Sequence, residues 1–296
     1  MLINFPAKII IFMLTVLESI NLSAEYLNKK GIDSPKLNAE LLLACILNCK
    51  RLDLYLSFDR PLKEDEIQNY RELLKRRASN EPLQYILGSV EFYGLEFKVN
   101  SSVLIPRQET EVLVESVINS ADKEKEYNIL DIGTGSGIIA VTIAKHLPGS
   151  RITALDISED ALAVAKTNAE LNRVDGRVDF IKLDITNDNV FNDKYDIVVS
   201  NPPYISSSEY EELEPELRVY EPKFALTDYK DGLSFYRSII GSAEKMLNSG
   251  KRIYFELGAG QSASVKEIME QNRFSKIEII KDYLGIDRVI TGEMNC

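Results

Sequence analysis

Asn201-Pro202-Pro203-Tyr204 directly follows Tyr195–Ser200, an apolar run that reads as a β-strand ending in a polar turn. These four residues are suited to holding a planar nitrogen. An amide or exocyclic amine is a weak nucleophile because its lone pair is delocalised. Hydrogen bonds from its NH₂ group to the Asn201 side-chain oxygen and the Pro202 carbonyl would fix it in place. They would also favour pyramidalisation, and so act mainly in the transition state. Pro203 stiffens the turn, and Tyr204 would cover the planar group and offer an aromatic face to a cation. A proline-rich turn without chemistry is the alternative reading.

The turn Gly133-Thr134-Gly135-Ser136-Gly137 follows a second such strand, residues 128–132. Glycines let a ligand approach the backbone, and the next helix presents free amides. A dinucleotide fingerprint requires glycine or alanine three places after its second glycine, where this chain has Ile138. A nucleoside cofactor other than a dinucleotide, or a purely structural turn, remains. Asp156 ends the strand 151–155, where its carboxylate can accept from both hydroxyls of a ribose, at about 1.5–3 kcal/mol per charge-assisted bond. Capping of the helix that starts at Glu159 is its other reading, although Ser158 also suits that role. Asp184 would face the adenine edge or serve a turn, and Asp131 would orient the amino-acid end of the cofactor. Together these residues describe S-adenosylmethionine beside a planar nitrogen acceptor, with Asn201 at the junction. This chemistry requires no metal, covalent nucleophile or histidine base. The single histidine, His146, falls at a helix end.

The elements that position these residues follow from periodicity. Residues 14–81 are expected to form a small helical domain: Leu37–Leu47 repeats apolar residues at helical spacing, with Asp33-Ser34 offering a cap and Pro35 in the first turn, and Glu64–Ala78 ends in Arg76 and Arg77. Residues 82–108 alternate at period two around Gly94 and predict a β-hairpin linker. Residues 109–296 then alternate strand and helix, with strands near 128–132, 151–155, 178–182, 195–200, 251–257, 276–281 and 286–290. Helices are expected at Glu109–Asn119, Glu159–Leu171 and Leu233–Leu247. This pattern predicts an α/β fold with a doubly wound, mainly parallel sheet of the Rossmann-like class I type.

With 296 residues and 45% hydrophobic content, the chain can bury a sizeable core. A net charge of −11 disfavours a long non-specific grip on nucleic acid. Cys45, Cys49 and Cys296 give no disulfide framework, which suits a reducing, cytoplasmic setting. Cys45 and Cys49 are expected on one helix face as small buried apolar residues. The apolar run Ile9–Leu17 is too short to span a bilayer, which takes about 20 residues, and Met13 offers an alternative start.

Four stretches resemble one family, the release factor glutamine methyltransferases (PrmC, also called HemK). They are Pro82–Gly88 with Glu91–Phe97, then Val103–Glu111, then the glycine turn, and finally Asn201–Ile205 with Glu221–Leu226; residues 281–288 resemble the family's ending. The glycine turn marks methyltransferases generally, and Asn-Pro-Pro-Tyr also occurs in enzymes that methylate adenine N6. The segment from Ile105 to Glu111 is narrower, with one departure: Gln108 stands where the family usually has proline. The resemblance implies methylation of the glutamine side-chain amide in the Gly-Gly-Gln motif of peptide chain release factors. It also implies that the helical domain docks that protein, with neither nucleic acid nor membrane as a direct partner. A nucleic-acid adenine methyltransferase is the competing class.

Overall fold

A computed structural model describes residues 14–187 and 194–295. The apolar run before Leu14, the alternative start at Met13 and Cys296 lie outside the described residues. The chain divides into two compact units, with the boundary between Leu87 and Gly88.

The first unit is helical. It contains α1 (Val16–Lys29), α2 (Pro35–Leu47), α3 (Glu64–Ala78) and α4 (Leu83–Leu87). Thr15 and Glu18 form a capping box that closes the start of α1. Val16, Ile20 and Leu27 meet Leu42, Leu43, Leu54 and Leu74 in one core. Two sequence-based expectations are corrected in α2. Ser34 sits in the left-handed region and makes no side-chain cap, so Pro35 alone marks the entry. Cys45 is exposed because the buried face runs through Ala39, Leu42 and Leu43. Cys49 is partly exposed, beyond the left-handed Asn48 that ends the helix. Arg77 does more than complement a helix dipole: it is buried and donates to Asn38 Oδ1 at 2.8 Å.

The second unit opens with the hairpin β1 (Ser89–Phe92) and β2 (Leu95–Lys98), which pair antiparallel. Phe92 and Phe97 pack with Leu113, Val117 and Ile143, so the hairpin belongs to this unit's core. Asn168 fixes it further by accepting from the Lys98 amide at 2.6 Å and donating to the Lys98 carbonyl at 2.9 Å. Next come α5 (Thr110–Ser120), β3 (Asn128–Ile132), α6 (Ile138–His146), β4 (Arg151–Asp156), α7 (Glu159–Leu171) and β5 (Val178–Lys182). β6 (Tyr195–Ser200), β7 (Leu247–Glu256), β8 (Phe274–Lys281) and β9 (Asp287–Met294) complete the sheet.

Among the described residues the sheet has seven strands in the order β5-β4-β3-β6-β7-β9-β8. The first five of these run parallel, whereas β9 is antiparallel to both β7 and β8. Alternate residues feed two cores. Ile129, Ile197, Val199 and Tyr254 face α5 and α6, while Leu130, Val198, Ile253 and Phe255 pack against Tyr236, Ile239 and Met269. The helix expected over Leu233–Leu247 is divided into Ser234–Gly241 and Ala243–Met246, and Leu247 already belongs to β7. Among the described residues no helix is long and apolar enough to cross a membrane.

Candidate active site

The strand order reverses between β3 and β6. The chain travels outward from β3 to β4 and β5, then returns to the other side of β3. Such a switch leaves a crevice at the carboxyl ends of the strands. Ile132 pairs with Ser200 there, and Ser200 Oγ donates to the Ile132 carbonyl at 2.7 Å. The residues that follow these strands are Gly133 and Asn201. Sequence segments about seventy positions apart are thereby brought face to face.

A cavity of about 250 Å³ fills the crevice. Gly133, Gly135, Asp156, Asp184, Asn201, Pro202 and Pro203 all line it. Gly133 and Gly135 stand at φ +75° and +55°, and a Cβ at either would meet nothing within 4 Å, so the backbone is open to a ligand. The turn itself is tied to β4, because the Gly133 and Thr134 amides both donate to the Leu155 carbonyl, at 2.9 and 2.8 Å.

Four residues expected at the cofactor lie behind the wall instead. Asp131 is fully buried, and its Oδ2 accepts from the Thr134 hydroxyl at 2.7 Å. Burial pushes the Asp131 carboxyl up to about 7, with the Thr134 bond opposing the rise. Thr134 and Ser136 are buried, and the Ser136 carbonyl accepts from Asn168. Gly137 is packed against Ala165, where an added Cβ would lie 3.0 Å from Ala165 Cβ. These residues shape the turn, and side chains this deep in the turn do not reach the cavity surface.

Asp156 Oδ2 accepts from the Gly135 amide at 2.8 Å, and Oδ1 accepts from the Ser158 amide at 2.9 Å. Ser158 caps α7 through its own hydroxyl, so the two readings of this region resolve onto different residues. Burial raises the Asp156 carboxyl above its usual range, opposed by the Ser158 and Gly135 amides. Asp184 has both oxygens engaged by Thr186 and Asn187 in a local turn. Those bonds hold it below its usual range against the upward push of burial. Leu155, Ile157, Leu183, Ile185, Phe235 and Ile239 add apolar wall. A carboxylate with spare lone pairs to accept from hydroxyls, beside an apolar slot, is the combination a nucleoside requires.

Tyr204 does not line this cavity. Its ring lines a second, smaller cavity of about 200 Å³ together with Leu104, Arg107, Ile205, Leu217 and Ala225. Its hydroxyl donates to Glu256 Oε1 at 3.4 Å, because the loop after Pro203 turns inward toward β7. Asn201 and Pro202 line both cavities and form their common wall. Arg107 is held there by a 2.6 Å ion pair with the buried Glu221, whose Oε2 also accepts from the Ile105 amide. The absence of proline at 108 does not spoil entry into α5, since the Glu111 amide bonds the Gln108 carbonyl at 2.9 Å.

Several lining residues escaped the sequence reading. Phe224 and Ala225 reach the larger cavity from the short helix Lys223–Leu226 and Tyr229 from the loop after it, and Ile205 bridges Thr227 to hold that segment in place. The signal for Phe224 and Ala225 was the stretch Glu221–Leu226, which contributed to the resemblance but suggested no contact; Tyr229 lies beyond it. Gly232 lines neither cavity but packs against the Tyr204 backbone. It stands at φ +80°, and a Cβ there would lie 2.3 Å from the Tyr204 carbonyl oxygen and 2.8 Å from Gln261 Nε2. Gly232→Ala is therefore expected to shift the Tyr204 backbone and destabilise the protein by about 1–3 kcal/mol. Thermal unfolding measures this effect, and a wild-type melting temperature with wild-type turnover would show that the close approach is dispensable.

Comparison with known proteins adds the family. Residues 18–88 match the PrmC N-terminal domain and residues 108–215 match the methyltransferase small domain. A release factor glutamine methyltransferase from Geobacter sulfurreducens is 41% identical over 280 residues, covering 95% of this chain and 97% of that protein. The chain belongs to the release factor glutamine methyltransferase family. The Fusobacterium nucleatum member is 44% identical over 278 residues, which is 94% of this chain and 78% of its own length. A crystal structure of a methyltransferase from Pyrococcus furiosus shares the fold at 17% identity, with a TM-score of 0.51 over 78% of this chain and all but 1% of that one (99%).

Proposed function

We propose that this chain transfers a methyl group from S-adenosylmethionine to the side-chain amide nitrogen (N5) of the glutamine in the Gly-Gly-Gln motif of a peptide chain release factor. The observation that carries the reading is the shared Asn201–Pro202 wall between a cavity lined by Asp156, Gly133 and Gly135 and a second cavity beside it. Family membership narrows the acceptor from any planar nitrogen to glutamine.

When bound, S-adenosylmethionine supplies an electrophilic methyl on a sulfonium. Asp156 would accept from the ribose hydroxyls, and the Gly133 and Gly135 backbone would admit the cofactor at close range. Leu183 and Ile185 would flank the base, on the turn that Asp184 stabilises. Asp131, Thr134, Ser136 and Gly137 support the turn from behind. Asn201 Oδ1 and the Pro202 carbonyl would accept from the acceptor NH₂, removing its freedom and steering its lone pair toward the methyl. The Tyr204 ring walls the acceptor side. The apolar lining keeps water from the reacting atoms.

The first unit is the docking element for the release factor, and a cytoplasmic setting follows from that substrate. Binding energy gathered far from the reacting amide can position it. A chain truncated to start at Gly88 is thus expected to bind cofactor normally but lose about 10²-fold or more in kcat/KM for release factor. The test compares label transfer to intact release factor, to its Gln→Ala loop variant and to an adenine-containing oligonucleotide. Label in the oligonucleotide, or undiminished label in the Gln→Ala protein, would overturn the assignment in favour of nucleic acid.

A further inference from the structure

Behind Asn201, two buried polar residues, Thr110 and Glu256, line neither cavity. Thr110, at the start of α5, is 1% exposed, and its Oγ1 accepts from Asn201 Nδ2 at 3.3 Å. Glu256, the last residue of β7, is also 1% exposed. Its Oε1 receives the Tyr204 hydroxyl, and its Oε2 has no hydrogen-bond partner among the described residues. Burying a carboxyl with incomplete partners is destabilising, and packing alone gives no reason for one here.

We propose that Thr110 and Glu256 are positioning residues that fix which end of the Asn201 amide faces the acceptor, an inference that rests on the function above. A threonine hydroxyl has one proton and two acceptor sites. The Thr110 hydroxyl lies where it helps to hold the Glu256 carboxyl down. With Glu256 ionised, the Thr110 proton would turn toward the unpartnered Oε2, leaving Thr110 only able to accept from Asn201. Nδ2 is then committed to Thr110, and Oδ1 faces the acceptor NH₂ as a hydrogen-bond acceptor. With Glu256 protonated, its proton can turn toward Thr110, which frees the Thr110 proton for Asn201. The amide can then rotate and present NH₂ to NH₂, which repels the substrate nitrogen.

The groups around Glu256 set where this change occurs. Burial pushes its carboxyl up to about 7; the Thr110 hydroxyl and Arg288 pull it down, Glu109 pushes it up, and Tyr204 pulls it down again. Tyr236 also faces it, donating to the Glu256 backbone carbonyl at 2.7 Å. Arg288 is itself held by Asp282, at 3.1 Å. The anion is the orienting form, so turnover should fall as pH drops through about 7.

The test is methyl transfer by the full chain to intact release factor between about pH 6 and 9, with wild type, Thr110→Val, Thr110→Ser and Glu256→Gln. Thr110→Val is expected to lower kcat about tenfold or more, with KM for release factor and cofactor affinity within about twofold of wild type. Thr110→Ser should restore the rate, since it keeps the hydroxyl. Glu256→Gln, assayed at saturating cofactor, should be slower and lack the acidic limb. Should Glu256→Gln fail to fold, the Thr110 pair still decides the matter. Wild-type kcat in Thr110→Val, or an unmoved acidic limb in Glu256→Gln, would overturn the proposal. Wild-type enzyme that leaves glutamine unlabelled would remove the function itself, and this inference with it.

Discussion

Asn201→Ala is expected to lower kcat by about 10²-fold or more while leaving S-adenosylmethionine affinity nearly unchanged. The asparagine sits in the wall common to the two cavities, with Nδ2 held by Thr110 and Oδ1 available to the acceptor. Its hydrogen bond to the acceptor strengthens as the nitrogen pyramidalises, so the loss falls on the transition state more than on binding. Asn201→Asp separates geometry from charge. The carboxylate accepts equally well, yet it breaks the donor bond to Thr110 and adds a second anion near Glu256. It should therefore also be slow. Single-turnover rates with calorimetric cofactor titration measure both quantities. A near-normal single-turnover rate in Asn201→Ala would take the residue out of the mechanism.

Asp156→Ala is expected to weaken cofactor binding by roughly 1.5–3 kcal/mol, or about 10- to 10²-fold in Kd. The structure adds a second consequence. Both carboxylate oxygens also receive backbone amides, from Gly135 and Ser158. Alanine leaves those amides to water, so a modest drop in melting temperature should accompany the loss of affinity. Asp156→Asn should keep one acceptor and lose less. Because burial raises this carboxyl above its usual range, acidification should weaken binding at a higher pH than for an ordinary aspartate. Titration calorimetry across pH is the check, and unchanged affinity in Asp156→Ala would remove the carboxylate from the cofactor site.

The sequence by itself determined the sheet. The strands at 128–132, 178–182 and 195–200 and the helix Glu159–Leu171 have the extents their periodicity implies, because apolar alternation must match the two cores. It was less informative at the ends of elements, where local rules compete: Ser34 looks like a cap but takes a left-handed conformation, and Cys45 follows the apolar pattern yet lies off the buried face. The cavity-lining residues Gly133, Gly135, Asp156 and Asn201 were also legible. Asp156 ends a parallel strand, Gly133 and Asn201 directly follow one and Gly135 lies in the turn after β3, and strand ends at the switch point must converge. What only the tertiary structure decided is which neighbours within a motif face the ligand and which face the core. One turn places Gly133 and Gly135 on the cavity but buries Thr134 and Ser136, and one tetrapeptide splits Tyr204 onto the second cavity. Asn201 reaches Thr110, and Tyr204 reaches Glu256, only because α5 begins at the edge of the sheet where β6 and β7 end. Spacing along a chain records when a side chain appears, whereas its direction and its distant partners are set by packing, which no local pattern contains.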